Sequence, residues 1–104
     1  MIEKINDSEL LLKVNKNLYD SEAVLQTSYK FTDRCYIHID PISEDVIGVY
    51  FKLKHGDLAS LEETVNEFCN ELIDQQVRVI VERNYGSIRD EIVKKAFSPI
   101  DKVD

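Results

Sequence analysis

The amino-acid sequence predicts an α+β fold, a small two-layer domain in which helices cover one face of a sheet. Short segments with alternating apolar and polar residues predict half-buried strands. A longer segment, Ser60 to Asn84, repeats apolar residues at three- and four-residue steps, which predicts an amphipathic helix. The order of elements is β-α-β-β-α-α, and a sheet with helices on one face is the simplest way to bury both patterns. At 104 residues the chain, 1–104, is expected to form a single domain.

Three strands are predicted from alternation. Glu9 to Asn15 is the first, and the residues before it, 1–8, together with the last residues, 99–104, are expected to be frayed polar ends. Cys35 to Ile39 and Val46 to Lys54 are the other two, and the turn-forming residues between them predict a β-hairpin with a longer loop. The hairpin residues expected to face the core are Cys35, Ile37, Ile39, Ile47, Val49, Phe51 and Leu53.

The first helix is expected over residues 21–34, SEAVLQTSYKFTDR. Asp20 and Ser21 supply side chains of the kind that cap a helix N-terminus. The residues predicted to share its buried side are Val24, Leu25, Ser28, Tyr29 and Phe31. This helix joins the first strand to the hairpin, as in a split β-α-β arrangement.

The long helix, Ser60 to Asn84, has the most consistent periodicity in the chain. Ser60 and Glu63 match a capping box, in which each side chain bonds to the backbone amide of the other residue. Acidic residues fill the first half and arginines the second, an order that the helix dipole favours. Gly86 is expected to end the helix. The residues predicted to face the core are Leu61, Val65, Phe68, Leu72, Ile73, Val77 and Ile80.

The last third of the chain allows two interpretations. Val77 to Val81 is β-branched and partly alternating, which also suits a strand. In that case the order becomes β-α-β-β-α-β-α, which is ferredoxin-like. After Gly86, Ser87 can cap a last helix that runs to Phe97, and Pro99 prevents its continuation.

Charge and hydropathy exclude several classes of partner. The formal net charge is −7, which opposes binding to nucleic acid or to an anionic membrane surface, and no stripe of lysines or arginines counters it. No apolar run has the length of a membrane span, and the start, MIEKINDSEL, lacks the features of a signal peptide. We therefore expect a cytoplasmic protein, and the acidic charge is compatible with a basic or protonatable peptide partner.

No motif in the sequence indicates catalysis, so the protein is expected not to be an enzyme and to hold no cofactor or metal. The two histidines, His38 and His55, stand in no HxH or HExxH motif, and Cys35 and Cys69 form no CxxC pair. Buried free thiols are therefore the expected state of the cysteines. A small metal-binding or enzymatic domain built from these four residues stays open as the alternative.

Five side chains are the candidates for binding a partner. Arg78 and Arg89 lie in predicted helices beside acidic residues, so they either form local ion pairs or present a fork for a partner's carboxylate. Tyr36, His38 and Tyr50 fall on outward-facing hairpin positions, where aromatic residues suit a peptide-binding surface. The same positions would suit a packed second face of the sheet, and a structural homodimer formed through that face also stays open.

Three stretches of the sequence carry a resemblance to a known family. They are Tyr19 with SEAVLQTSYKFTDRCYIHID, the segment Phe68 to Arg78, and Ser87-Ile88-Arg89-Asp90 with Ala96-Phe97-Ser98. Together they resemble the small D-type protein of the His-Xaa-Ser system, a bacterial cluster similar to ribosomal-peptide maturation loci. Against the family's central motif, Leu-Leu-Asn-Asp-Tyr-x-Leu-Arg-Glu, the chain has Leu72, Asp74 and Arg78 in common, a conservative Val77, and differences at Ile73, Gln75 and Val79.

The resemblance implies an accessory role beside radical S-adenosylmethionine enzymes that act on a repeat-containing peptide. The chain lacks the CxxxCxxC triad with which such enzymes hold their cluster, and neither His38 nor His55 begins a His-Xaa-Ser repeat. The expected function is a non-catalytic protein that docks a precursor peptide or a modifying enzyme of the system. Addition of a peptide strand to an open sheet edge is the expected mode of binding.

Overall fold

The computed structural model describes the backbone of residues 2–97 and the side chains of residues 2–85. Its elements are β1 (Ile2–Asn6), β2 (Glu9–Asn15), α1 (Ser21–Lys30), β3 (Cys35–Pro41), β4 (Val46–Leu53) and α2 (Leu58–Phe97). The predicted α+β class is confirmed, as is the order strand, helix, strand, strand, helix. Neither helix combines the length and the apolar character that a membrane span requires within the described residues.

The four strands form one sheet in the order β1-β2-β4-β3, and every neighbouring pair is antiparallel. Because β2 and β3 both run antiparallel to β4, they are parallel to each other, and α1 connects them as the crossover of a split β-α-β unit. The predicted β3–β4 hairpin is confirmed, with His38 paired with Tyr50 at its centre. β1 and β3 are the two edges of the sheet.

The core lies between the sheet and the two helices. Leu10, Leu12 and Val14 of β2 are buried on the helix-facing side, as alternation predicts, and the inward residues of β4 pack with them. The side chain of Phe68 on α2 meets the rings of Phe31 and Phe51, with centroids 5.4 Å and 4.9 Å away and both pairs edge to face. This aromatic cluster joins α1, β4 and α2 into one layer of packing.

The first strand was not expected from the sequence. Residues 1–8 are predicted as a frayed polar lead-in, whereas Ile2–Asn6 pairs with β2 from Ile2 opposite Leu12 to Asn6 opposite Glu9. All five residues of β1 are exposed, so the strand buries no apolar face and leaves no periodic signal. The predicted frayed end, 99–104, lies outside the described residues.

The buried side of α1 differs in part from the prediction. Val24, Ser28 and Phe31 are buried as expected, but Leu25 is 58 % and Tyr29 80 % exposed. The helix buries its small residues Ala23 and Thr27 instead, because it packs closely on α2. α1 also ends at Lys30 and not at residue 34.

The N-terminus of α2 is capped three residues earlier than predicted. The helix begins at Leu58, and the Oδ1 atom of Asp57 accepts hydrogen bonds from the Ser60 backbone N–H at 2.9 Å and the Ser60 hydroxyl at 3.0 Å. Asp57 is therefore the N-cap residue, and the proposed capping box of Ser60 and Glu63 is wrong. Ser60 occupies the third helical position, where its amide needs an acceptor outside the helix.

The C-terminal part of α2 corrects three expectations. Val77 to Val81 is helical, so the ferredoxin-like alternative with a strand there is wrong. Gly86 does not end the helix, and Ser87 does not begin a separate one, because one helix of 40 residues runs from Leu58 to Phe97. At a rise of about 1.5 Å per residue this helix is about 60 Å long, more than twice the span of a seven- or eight-residue strand.

The buried line of α2 follows the prediction only through Leu72. Leu61, Val65, Phe68 and Leu72 are at most 3 % exposed, as predicted. Beyond them the line continues through Gln75, Gln76 and Val79, which are also buried, whereas the predicted core residues Ile73, Val77 and Ile80 are exposed. The predicted apolar stripe therefore divides into a buried half and an exposed half.

Candidate functional site

The outward-facing aromatic residues of the hairpin come together on one surface. Tyr36 and His38 alternate along β3 and point away from the helices, and the His38 ring lies 5.8 Å from the ring of Tyr50 on β4. Tyr36 is 59 % exposed, and the His38 side chain is 70 % exposed. Three of the five predicted binding residues thus form a contiguous surface, called here the β3 surface.

Polar groups beside the β3 surface give it a mixed character. The Nζ atom of Lys54 lies 5.1 Å from the centroid of the Tyr36 ring, within the range of a cation–π contact. The Nε2 atom of His38 lies 3.3 Å from Oδ2 of Asp40, so a protonated His38 would have a carboxylate beside it. Aromatic faces with a nearby carboxylate suit contact with a basic or hydrogen-bonding peptide.

The hairpin loop covers the centre of the outward sheet face. Ile42 lies over Gly48, where a Cβ atom would come within 2.6 Å of the Ile42 Cδ1 atom and 3.2 Å of the Leu11 Cδ1 atom. Leu11, although it points away from the helices, is therefore only 6 % exposed. The aromatic side chains that remain exposed on this face lie along the edge strand β3.

A cavity lies on the helix side of the same edge. Its volume is about 190 Å³, and its lining residues are Lys16, Ser21, Val24, Leu25, Ile39, Pro41 and Ile47. A site for a cofactor or drug-sized ligand usually has about 300 Å³ or more, whereas an apolar cavity of about 150 Å³ holds a benzene ring. This cavity therefore has the size for one apolar side chain. Sequence reasoning missed it because α1 and β3 contribute residues that no linear motif connects.

Arg78, one of the two predicted arginines, does not join the β3 surface. Arg78 lies on α2, which covers the opposite face of the sheet, and its Nε atom donates to Oδ2 of Asp74 at 2.8 Å. The hydrogen bond and the charge of Asp74 raise the pKa of Arg78 further above its ordinary value. This is the local ion pair that the sequence allowed. Arg89 lies outside the residues whose side chains the structure describes.

The cysteines and histidines are distributed over different parts of the fold. Cys35 is buried on the inward side of β3, opposite to the side that carries His38, while Cys69 is half-buried on α2 and His55 lies in the turn before α2. Burial raises the pKa of both thiols, which disfavours the thiolate that a nucleophile or metal ligand needs. In the part of the chain with described side chains, no three His, Cys, Asp or Glu residues converge as metal ligands would.

A second polar cluster ties α2 to the start of α1. Gln76 accepts a hydrogen bond from the Asp20 backbone N–H at 2.7 Å and donates one to Asp20 Oδ2 at 2.8 Å. Arg83 donates to the same Oδ2 atom at 2.8 Å. The hydrogen bonds from Gln76 and Arg83 hold the pKa of Asp20 below its ordinary value. Asp20 thus occupies the predicted N-cap position, but its side chain bonds to α2 and not to its own helix.

Comparison with known proteins yields a family. A family model described as the His-Xaa-Ser system protein HxsD matches residues 14–103, which include both helices, β3, β4 and the last two residues of β2. No curated protein and no solved structure gives a match.

Proposed function

The chain belongs to the family of the His-Xaa-Ser system protein HxsD, and from this membership we propose that it is a non-catalytic peptide-docking module of the system. In this proposal a segment of the precursor peptide adds to the sheet as a fifth strand, alongside β3. The observation that carries the proposal is that β3 is an edge strand with aromatic side chains on one side and a cavity on the other.

β3 is the better of the two edges for strand addition. It has seven residues in register with β4, and within residues 2–97 no strand pairs with its other side, so a row of backbone groups faces outward. β1 has five residues, and its pairing shifts register between Lys4 and Asn6. A short, irregular edge is a poor template for another strand, which leaves β3 as the docking edge.

The two sides of β3 can read alternate side chains of the peptide. Successive residues of an added strand point to opposite faces. One set would contact Tyr36 and His38, and the other would face the 190 Å³ cavity between Leu25 and Ile39. Backbone hydrogen bonds would supply affinity and the two faces would supply selectivity, the usual division in strand addition. The net charge of −7 favours a basic or histidine-rich peptide.

The test is a binding titration between the protein and a fluorescently labelled precursor peptide. We expect Tyr36→Ala and Leu25→Lys each to weaken binding about tenfold or more, which corresponds to about 1.4 kcal/mol. Tyr29→Ala is the matched control, because Tyr29 is 80 % exposed on α1 and lines neither side of β3. Equal affinity in all variants, or no binding by the wild-type protein, would overturn the proposal.

A second measurement tests strand addition itself. Only alternate residues of an added strand exchange hydrogen bonds with its neighbour. A peptide N-methylated at one set of alternate amides should therefore lose binding, while methylation of the other set should retain it. If both methylated peptides bind as well as the parent, the peptide does not extend the sheet. Capture of a modifying enzyme without any binding to the peptide would likewise contradict the proposed role.

A further inference from the structure

An uncovered apolar surface lies on α2, away from β3. Ile73, Val77, Ile80 and Val81 follow one another at steps of four, three and one along the helix and are between 42 % and 53 % exposed. They are called here the α2 stripe. In the described part of the chain these residues lie outside the core cluster.

Further exposed apolar residues adjoin the stripe at both ends, one in a loop and one on α2 itself. At one end Ile73 and the loop residue Leu18 line the same cavity, whose volume is about 250 Å³, together with Val14 and Cys69. Leu18 is 68 % exposed, and Tyr85, at the other end, is 61 % exposed. Contiguous apolar patches of this kind on a protein surface mark sites of association.

We infer that the α2 stripe is the interface between two copies of this chain, paired antiparallel about a two-fold axis at Val77. The spacing of residues along the helix is largely self-complementary about that position. Ile73 and Val81 lie four residues to either side of Val77, and Asn70 and Asn84 lie seven residues to either side. In an antiparallel pair Ile73 of each copy would face Val81 of the other, and the two asparagines would meet at the ends of the stripe. Ile80 would face Asp74, whose carboxylate is already paired with Arg78. A two-fold interface requires this kind of self-complementarity.

The exposed apolar area is close to what such a dimer needs. A fully exposed Val, Leu or Ile side chain presents about 100–130 Å², and a Tyr side chain about 150–250 Å². The stripe together with Leu18 and Tyr85, at their observed exposures, therefore offers roughly 400 Å² per copy. A standard interface buries about 800 Å² per partner, of which about 65 % is apolar in homodimers. The six side chains therefore supply about four fifths of the apolar area of a standard homodimer interface.

The charges around the stripe are compatible with a second copy. The stripe itself carries no charge, and Asp74 beside it is already paired with Arg78. The repulsion between two chains of net charge −7 is long-range and is screened by salt, whereas apolar contact is not weakened by salt. We therefore expect the dimer to tighten as ionic strength rises, opposite to an association held by ion pairs.

The oligomeric state of the purified chain tests the inference. Sedimentation equilibrium across the micromolar range should give twice the 12.1 kDa chain mass for the wild type, and the chain mass for Val77→Lys, which places two like charges on the axis. Tyr29→Lys adds the same charge at an exposed apolar position of α1 and should stay dimeric. A monomeric wild type, or a dimer that survives Val77→Lys, would overturn the inference.

A cross-linking experiment tests the register. In a Cys69→Ser background, Val77→Cys should form a disulfide-linked dimer under mild oxidation, because the two residues at position 77 meet on the axis, whereas Tyr85→Cys should not. Equal cross-linking at both positions would contradict the antiparallel register. These outcomes are independent of peptide docking at β3, so either proposal can fail while the other holds.

Discussion

Replacement of Phe68 by alanine should cost a large share of the stability of this fold. Phe68 is fully buried and contacts Phe31 and Phe51 through two edge-to-face ring pairs. Truncation of a buried phenylalanine costs about 3–5 kcal/mol, and each aromatic pair accounts for about 0.5–1.5 kcal/mol of that. The free energy of unfolding of a domain of this size is about 5–15 kcal/mol, so Phe68→Ala should remove between a quarter and most of it.

Urea denaturation followed by far-ultraviolet circular dichroism is the assay, at a protein concentration where the oligomeric state of each variant has been measured. Phe68→Leu restores most of the lost volume but not the ring contacts, so its cost should lie near 1–2 kcal/mol. Tyr29→Ala, at an exposed position, should cost less than about 0.5 kcal/mol. If Phe68→Ala costs no more than Tyr29→Ala, the aromatic cluster does not hold the two layers together. If Phe68→Leu costs as much as Phe68→Ala, the ring pairs and not the filled volume carry the effect.

Two further predictions concern polar contacts of α2. Hydrogen bonds from Ser60 lower the pKa of the Asp57 carboxyl group below its ordinary value of 3.8. The ionised carboxylate therefore stabilises the folded protein fully at any pH above the pKa that Asp57 has in the unfolded chain. This stabilisation is lost as the pH falls through the lower pKa that Asp57 has in the folded protein. Asp57→Ala should therefore lower Tm at neutral pH, with the difference from wild type shrinking in acid, and a difference independent of pH would contradict this. Gln76→Ala should lower the free energy of unfolding by about 1–3 kcal/mol because the Asp20 amide loses its acceptor. Arg83→Ala removes an exposed ion pair and should lower it by less than about 1 kcal/mol. Urea denaturation measures both, and a larger cost for Arg83→Ala would contradict the role given to Gln76.

β2, β3, β4 and the first half of α2 were predictable because the surroundings of each are uniform along its length. β3 and β4 have the helices on one side and an open face on the other, so alternation places Ile37 inward and His38 outward as the structure does. The first half of α2 lies over the sheet, where one continuous apolar line from Leu61 to Leu72 is buried. In both cases hydrophobic periodicity alone identifies the buried side.

The second half of α2 depends on tertiary contacts that the sequence pattern does not show. Beyond Leu72 the side of α2 that faces the protein carries Gln76, and this glutamine is acceptable there because Asp20, 56 residues away, satisfies its hydrogen bonds. Periodicity therefore places Ile73, Val77 and Ile80 in the core, whereas they belong to the exposed α2 stripe. The residue type of Gly86 predicts a helix end, but α2 continues through it. The helix can do so because a glycine in its interior costs only about 1 kcal/mol relative to alanine.

The positions of the two proposed surfaces lead to a prediction about a repeat-bearing peptide. The α2 stripe adjoins β2 through the cavity at Leu18, whereas β3 is the far edge of the sheet with α1 beside it. A dimer formed through the stripe therefore leaves both β3 edges free. A peptide with two docking segments could occupy both edges, and the second binding step would then be intramolecular, which raises apparent affinity by about 10²-fold or more when the linker spans the sites. Such a peptide should bind the wild type more tightly than Val77→Lys, while a one-segment peptide should bind both equally. If the one-segment peptide also distinguishes them, Val77 acts on the docking edge itself and not through dimerisation.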